Sequence, residues 1–378
     1  MGSSLAAVVG GVGGGLILIL VVAVLVWFFR SKFGQFSNRG SETFSSDTSV
    51  AATATMKRSG ATGSYAVPRQ FRFEELEQAT KNFDESNLIG CGTFGLVYKG
   101  LLADGTFVAI KRRAGHPQLD FTEEVAHLST IQHRNVVKLL GYCQERGSQI
   151  LVFEYLPNGS MCSHLYGAAK ESNTKLEFKQ RLNIATAAAK GLSHLHGLQP
   201  PVIHGNFKTA NVLVDEDFVT KVSDAGVKKL LERIDDAGSS TSASIDAFRD
   251  PELGLPDTDN EINDIYSYGI FLLELISGKE AANKEAFRSN DGILQWVQEC
   301  LSSDNLIDRQ LAGSFTPEGM KDVIKVMLQC MRFPGRERPR MENVVVELEQ
   351  ILEKEMTRTT VMGEGTMTVI PGSELFTN

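Results

Sequence analysis

The 378-residue chain is poor in cysteine and has no excess of basic residues. Its five cysteines (Cys91, Cys143, Cys162, Cys300 and Cys330) form no CxxC pair, which argues against a zinc site or a disulfide framework. Scattered cysteines of this kind are typical of reduced thiols in the cytosol. The formal net charge of -8 argues against a nucleic-acid partner, because such proteins favour a basic surface.

Charged residues are missing altogether from Leu5 to Phe29, a run of 25 positions, whereas about 20 apolar residues cross a bilayer core. Aromatic residues Trp27–Phe29 end the run, and the basic residues Arg30, Lys32 and Arg39 follow it. The positive-inside rule therefore predicts one transmembrane helix at residues 5–29, with the remainder of the chain in the cytoplasm. The alternative, a cleaved signal peptide, requires a basic start and a shorter apolar core.

Only residues 1–4 precede this segment, so we expect a short extracytoplasmic end and no ligand-binding ectodomain. The plasma membrane is the expected location. Gly10 and Gly14, like Gly11 and Gly15, have the GxxxG spacing that lets two membrane helices approach closely. A homodimer through the transmembrane helix is therefore one hypothesis, although glycine is frequent in membrane helices generally.

Two segments contain too few large apolar side chains to fold by themselves. Residues 30–70 are predicted to be a disordered juxtamembrane linker and residues 355–378 a disordered tail. Between them, at 71–354, short β-rich runs precede longer helical ones, which indicates an α+β class. Predicted strands include Leu96–Tyr98, Phe107–Lys111 and Ile150–Tyr155; predicted helices include Arg181–His196, Asp264–Gly278, Asp322–Met331 and Met341–Glu353, with Phe73, Leu76 and Ala79 on one face of an earlier helix.

A glycine-rich motif and a lysine follow each other on the predicted strands. Gly90–Val97 reads GxGxxGxV, and glycines there let backbone amides approach phosphate oxygens. Alone, the motif also fits a tight turn between strands. Val108–Lys111 reads VAIK, the place where a kinase lysine reaches the α- and β-phosphates. Glu124 lies thirteen residues further on and could hold Lys111, although such a pair is usually a surface salt bridge.

Residues 71–353 resemble a plant receptor-like kinase of the interleukin-receptor-associated/Pelle type, in the phrases FRFEELEQATKNFDESNLIGCGTFGLVYKG, HRNVVKLLGYC and LVFEYLPNGS. The resemblance implies a two-lobed protein-kinase fold, with a small lobe at about 83–155 and a large lobe at about 158–354. It also implies a gatekeeper at Phe153 and bound ATP and Mg²⁺. The nucleotide-binding residues that it implies are Ile89, Gly90, Gly92, Gly95, Val97, Ala109, Lys111, Glu124, Glu154, Leu156 and Leu213.

The catalytic loop departs from the family's HRDxKxxN pattern. Here it reads HGNFKTAN over residues 204–211, so Lys208 still matches a γ-phosphate contact and Asn211 a metal ligand. Asn206 stands where an aspartate should accept the proton of the substrate hydroxyl, and an amide has essentially no basicity. Gly205 replaces the arginine that fastens this loop to the activation segment.

Further changes follow the loop. Asp224 keeps the metal-binding aspartate of DFG, but Ala225 replaces its phenylalanine. Ile245 and Asp250 replace a threonine and the alanine of APE, and we interpret both as changes on the acceptor side of the site.

By contrast, the residues that hold the fold of the large lobe are retained. Glu252 and Arg338 can still pair, and Asp264 keeps the family's anchor position. A chain that keeps its scaffold and its nucleotide residues while losing the base is interpreted as a pseudokinase.

Three functions remain open. The first is a membrane-anchored pseudokinase that binds ATP with Mg²⁺ and acts in signalling as a scaffold or allosteric partner of active receptor-like kinases or other signalling proteins. The second is a slow serine/threonine protein kinase that uses Lys208 and the metal ions without a true base. The third is a nucleotide-independent membrane adaptor.

Overall fold

The computed structural model describes residues 68–115, 118–166, 176–234, 247–252, 261–281, 290–302 and 305–362. The predicted transmembrane segment at 5–29, most of the predicted linker and Ile245 lie outside these ranges. Across the residues that are described, no helix is both long and apolar enough to cross a membrane.

A six-stranded sheet forms the small lobe, in the order β1-β5-β6-β4-β3-β2. Its strands are β1 (Arg69–Gln70), β2 (Leu88–Cys91), β3 (Leu96–Leu101), β4 (Phe107–Ala114), β5 (Leu139–Glu145) and β6 (Ser148–Glu154). The three predicted strands are thus confirmed in β3, β4 and β6, although β6 ends at Glu154, one residue before the predicted end. Strand β1, which the sequence assigned to the linker, pairs in parallel with β5 and adds an edge to the sheet.

Helix α1 (Phe73–Ala79) covers one face of this sheet. Phe73 and Leu76 are buried and Ala79 packs beside them, which confirms the helical face expected from their spacing. On the other side of the sheet, α2 (Leu119–Ser129) buries Phe121, Glu124, Val125 and Leu128. The small lobe therefore has two apolar layers, and α2 belongs to the layer that continues into the large lobe.

The large lobe is mainly helical. Its elements are α3 (Met161–Leu165), α4 (Phe178–His196), the hairpin of β7 (Val212–Val214) and β8 (Thr220–Val222), α5 (Val227–Ile234), α6 (Glu261–Ser277), α7 (Asn290–Ser302), α8 (Pro317–Cys330) and α9 (Met341–Met362). Each of the four predicted helices is present. Helix α9 extends to Met362, so the boundary predicted at residue 355 falls inside a helix rather than at the start of a disordered tail.

The catalytic loop is anchored to α6. The Asp264 carboxylate accepts the backbone amides of His204 at 2.7 Å and Gly205 at 2.8 Å. His196 Nε2 lies 3.0 Å from the same carboxylate. Although burial alone would raise the pKa of Asp264, the bond from His196 and the neighbouring groups lower it, so the carboxylate is charged and fixes the loop.

Candidate nucleotide-binding site

The glycine-rich loop, residues 90–95, closes the β2–β3 hairpin over the cleft. Gly92 and Gly95 exchange backbone hydrogen bonds, N to O, of 2.9 and 3.2 Å. Gly95 has a φ of +142°, and a Cβ there would run into the backbone of Arg112, so this turn requires glycine. A Cβ at Gly90 would meet nothing within 4 Å, which leaves that stretch of backbone open to a ligand.

Phe94 at the tip of this loop is only 2 % exposed. Its ring stacks on Phe121 of α2, with centroids 6.5 Å apart. Beside it, Thr93 Oγ1 accepts a long hydrogen bond of 3.5 Å from Asn206 Nδ2 of the catalytic loop. The sequence did not single out Phe94, because an aromatic residue in a glycine-rich turn gives no sign of which side of the loop it packs on.

Lys111 lies on β4 opposite Val97, as the motif requires, but its ion pair is with Asp224. Glu124, which the sequence paired with Lys111, is 2 % exposed and binds Arg233 at 2.6 Å instead. The other Glu124 carboxylate oxygen is buried with no hydrogen-bond partner in the described part of the chain. The predicted Lys111–Glu124 pair is therefore wrong for this arrangement of the lobes.

Helix α5 explains the change of partner. It begins directly after Gly226 and packs on α2, and its residues Val227, Leu230 and Ile234 are buried. Gln118 Nε2, just ahead of α2, donates to the Ile234 carbonyl at 3.3 Å. The apolar spacing of this helix is visible in the sequence, but its docking position is not, because that depends on the fit of two helix faces.

The residues assigned to adenine lie around the hinge. Phe153 pairs with Ala109 across β6 and β4, and Lys111 Nζ lies 5.2 Å from the Phe153 ring.

Leu156 is 5 % exposed, whereas the Glu154 side chain binds Lys221 at 2.8 Å. Of the remaining predicted contacts, Val97, Ala109 and Leu213 are half-buried and Ile89 is exposed.

The two predicted metal ligands are brought together by Ser223. Its amide donates to the Asn211 carbonyl at 2.8 Å, and Asp224 follows it in the chain. Asn211 Nδ2 donates to the Asn206 carbonyl at 2.8 Å, which turns the amide oxygen of Asn211 away from that bond. The amide oxygen of Asn211 and the carboxylate of Asp224 are oxygen donors of the kind that Mg²⁺ prefers. The residues present therefore fit a magnesium-bound nucleotide.

Buried contacts hold the catalytic loop in place. His204 Nε2 lies 2.8 Å from the Ser223 carbonyl, and burial lowers the pKa of its imidazole. Asn206 stands at the position of the base, and its backbone amide donates a hydrogen bond of 3.3 Å to His204 Nδ1. Lys208 is half-buried next to Thr209, whose hydroxyl binds the buried Glu274 carboxylate. These contacts hold the loop in place, and the side chain at residue 206 is an amide rather than a basic group.

Gly205 has a left-handed backbone with a φ of +69°, and a Cβ there would lie 2.8 Å from Lys228 Cδ. The left-handed backbone and the nearby Lys228 side chain both disfavour an arginine at this position.

Asp250 belongs to the scaffold, and its interpretation as an acceptor-side change is wrong. It is 3 % exposed and holds Arg338 through both carboxylate oxygens, with Nη2 to Oδ1 at 3.1 Å. Glu252, the partner expected for Arg338, is 3.5 Å from it and accepts the Gly335 amide at 2.7 Å. The guanidinium is fully buried, so its charge is balanced mainly by Asp250.

A glycine-rich hairpin, a lysine on the sheet, a hinge, and a loop carrying Asn211 and Asp224 define a protein-kinase domain, a fold that binds ATP with Mg²⁺. The sequence profile described as protein tyrosine and serine/threonine kinase matches residues 83–348. The chain belongs to this family, with plant receptor-like kinases as its homologues.

Two curated relatives come from Arabidopsis thaliana. "Receptor-like protein kinase THESEUS 1" is 39 % identical over 302 residues, covering 78 % of this chain and 35 % of that protein. "Receptor-like protein kinase FERONIA" is 35 % identical over 374 residues, covering 93 % and 41 %. The chain therefore spans only about a third to two fifths of the length of these relatives.

A solved structure is also similar: the pseudokinase domain of BIR2, described as an immune regulator of the RLK/Pelle family. The TM-score is 0.62 and the sequence identity 29 %, covering 75 % of this chain and 86 % of the other. The resemblance to receptor-like kinases of the Pelle type is thereby confirmed.

Proposed function

We propose that this chain is a membrane-anchored receptor-like kinase homologue that binds ATP with Mg²⁺ but is catalytically impaired. It acts in signalling as a scaffold or allosteric partner of active receptor-like kinases. The observation that carries the proposal is an amide side chain, Asn206, at the position of the base, in a loop where the backbone carbonyl of Asn206 accepts a hydrogen bond from Asn211 Nδ2. The nucleotide residues are thus retained around a position that cannot accept a proton.

The loss of the base has a predictable size. General-base catalysis contributes about 10²–10⁴ in rate. A protein kinase turns over at about 1–100 s⁻¹, so loss of this term leaves roughly 10⁻⁴–1 s⁻¹. Phosphoryl transfer depends mainly on positioning and charge stabilisation, so slow turnover by a serine/threonine kinase is the second candidate function. Lys208, Asn211 and Asp224 favour it, because they are the charge-handling residues that remain.

Different residues would bind the metal ion, the phosphates and the adenine. Asn211 and Asp224 would hold Mg²⁺, which neutralises phosphate charge when it is bound. Lys111 would bind the α- and β-phosphates, after exchanging its ion pair with Asp224 for the nucleotide. The open backbone at Gly90 would receive phosphate oxygens, and Glu154 and Leu156 would offer hinge groups to adenine.

Location and partners are part of the same proposal. The uncharged run at residues 5–29 would anchor the chain in the plasma membrane, with the kinase domain in the cytoplasm. Its glycine spacing supports a homodimer through that helix. The likeness to the BIR2 pseudokinase domain, an immune regulator, supports a signalling role that does not need phosphotransfer.

The test measures magnesium-dependent ATP binding and single-turnover phosphotransfer on the purified full chain, beside Asn206→Asp and an Asp224→Asn control. The expected result is ATP binding with turnover below about 1 s⁻¹, and loss of binding in Asp224→Asn. Turnover of the unchanged chain at about 1–100 s⁻¹, abolished in the control, would refute the pseudokinase assignment. Absence of binding would favour the nucleotide-independent adaptor.

A further inference from the structure

We propose that Phe94 is a built-in competitor of the nucleotide: it anchors the glycine-rich loop across the cleft and must leave its site before phosphates can enter. This inference rests on the proposed nucleotide binding, and it adds a residue that sets the affinity.

The burial of Phe94 is unlike that of its neighbours in the loop. Cys91, Gly92 and Thr93 are exposed, whereas Phe94 is 2 % exposed and part of the main apolar cluster. Burying a phenylalanine side chain is among the larger single contributions to packing, so the loop is held by its tip rather than by its backbone.

The Phe94 ring is held by groups on two elements. Phe121 of α2 stacks on it, and the Arg113 guanidinium of β4 lies 5.9 Å from its centroid. Phe121 in turn makes an edge contact with Tyr142 of β5, with centroids 6.1 Å apart. The tip of the loop therefore rests on a site formed by the sheet and by α2.

Helix α2 also contacts α5, next to the site of Phe94. Phe121 and Glu124 are three residues apart and so lie on neighbouring positions of one helix face. Glu124 binds Arg233 of α5, while Phe121 receives Phe94. The docking of α5 and the anchoring of the loop therefore act on the same face of one helix.

With Phe94 anchored, the loop reaches the floor of the cleft. Thr93 Oγ1 is 3.5 Å from Asn206 Nδ2, and a Cβ at Gly92 would lie 4.0 Å from Asp224 Oδ2. Lys111 meanwhile binds Asp224 directly. Phosphates held by Lys111 and the loop amides would have to lie between these groups, so the anchored loop and the bound nucleotide exclude each other.

The expected effect of removing Phe94 on nucleotide affinity follows from the fraction of molecules whose glycine-rich loop is released. When only a fraction of molecules is competent to bind, the apparent dissociation constant rises by the inverse of that fraction. Replacing Phe94 by alanine removes the anchor while leaving the loop backbone, so Mg²⁺-bound fluorescent ATP analogue should bind at least about tenfold more tightly. Phe94→Leu keeps most of the apolar volume and should show a smaller gain.

The experiment uses the purified full chain, with Phe218→Ala as the matched control because Phe218 is half-exposed and far along the chain from the loop. Binding of the ATP analogue is measured beside backbone hydrogen exchange of residues 88–98 and 119–129 without nucleotide. Phe94→Ala should speed exchange in both segments and tighten binding, and the control should change neither. Phe94→Leu supplies the same comparison if the alanine variant fails to unfold cooperatively.

The two measurements separate failure of this inference from failure of the proposed function. Unchanged exchange in the Phe94 variants would show that the ring is no anchor. Faster exchange with the same affinity as the unchanged chain would overturn the competition and leave nucleotide binding intact. Faster exchange with no binding by any variant would overturn both. Binding that is detectable only in the Phe94 variants would support the inference most directly.

Discussion

Arg233 Nη1 lies 2.6 Å from the Glu124 carboxylate and takes the partner that the kinase resemblance assigned to Lys111. Glu124 is buried, whereas Arg233 is half-exposed, so the pair sits at the edge of the contact between α2 and α5. The bond from Glu124 raises the pKa of the guanidinium, and Arg233 is charged throughout the physiological range. Lys111 instead forms its ion pair with Asp224, which connects the lysine of the small lobe to the loop that carries the predicted metal ligand.

Arg233→Ala should destabilise the domain, because it leaves the Glu124 carboxylate buried and without its cation. The melting temperature of the purified chain measures this effect. Glu124→Gln carries no charge, so in that background the further loss of Arg233 should lower the melting temperature much less. Lys354→Ala is the control, since Lys354 and Asp322 form an exposed pair at 3.8 Å that contributes little. Equal effects of Arg233→Ala in both backgrounds would contradict the coupling.

Asp250→Ala should be one of the most damaging substitutions in the large lobe. It removes both carboxylate oxygens from a fully buried Arg338 and leaves Glu252 at 3.5 Å as the nearest countercharge. Removing one partner of a buried pair costs about 3–5 kcal/mol, and Asp250→Asn should recover part of the loss through its amide oxygen. Urea unfolding at neutral pH measures the difference. A loss below about 1 kcal/mol for Asp250→Ala would mean that Glu252 alone balances the guanidinium.

The sequence predicts the elements of this fold better than the partners of its charged side chains. Alternation and helical spacing locate β3, β4, β6 and α4, because burial of one face imposes the same period on any such element. The partner of Glu124 depends on where α2 and α5 dock, which no local pattern encodes. The role of Asp250 is hidden from the sequence for a similar reason. Its carboxylate and that of Glu252 are two residues apart, and only the fold shows which one meets Arg338 in full.

Restoring catalysis by reversing the substitutions in the catalytic loop should fail at Gly205. An arginine there would have to adopt a φ of +69°, which costs about 1–2 kcal/mol for a residue with a Cβ, and would meet Lys228. Asn206→Asp with Ala225→Phe should therefore give faster single-turnover phosphotransfer than the same pair with Gly205→Arg added. Lys228→Ala in the triple variant should recover part of the loss by removing the contact. A triple variant faster than the double variant would show that the backbone at 205 adapts.

Stability should fall as the pH is lowered from 7.5 to 5.5, and His133 should contribute to the fall. Burial lowers the pKa of His133, and the nearby His194, Arg134 and Lys190 lower it further; the His194 ring stacks on it at 4.6 Å. In the unfolded chain the imidazole has a pKa of about 6.5. As the pH falls below that value the unfolded state takes up the proton more readily than the folded state, so the folded state loses stability.

Above about pH 7.5 the His133 imidazole is neutral in both the folded and the unfolded state, so its contribution to the pH dependence of stability should vanish. His133→Gln should make the urea midpoint depend less steeply on pH between 7.5 and 5.5. A residual slope of the same sign is expected, because burial lowers the pKa of His204 as well. A slope that is unchanged by His133→Gln, or a stability that rises on acidification, would contradict a folded imidazole that resists protonation.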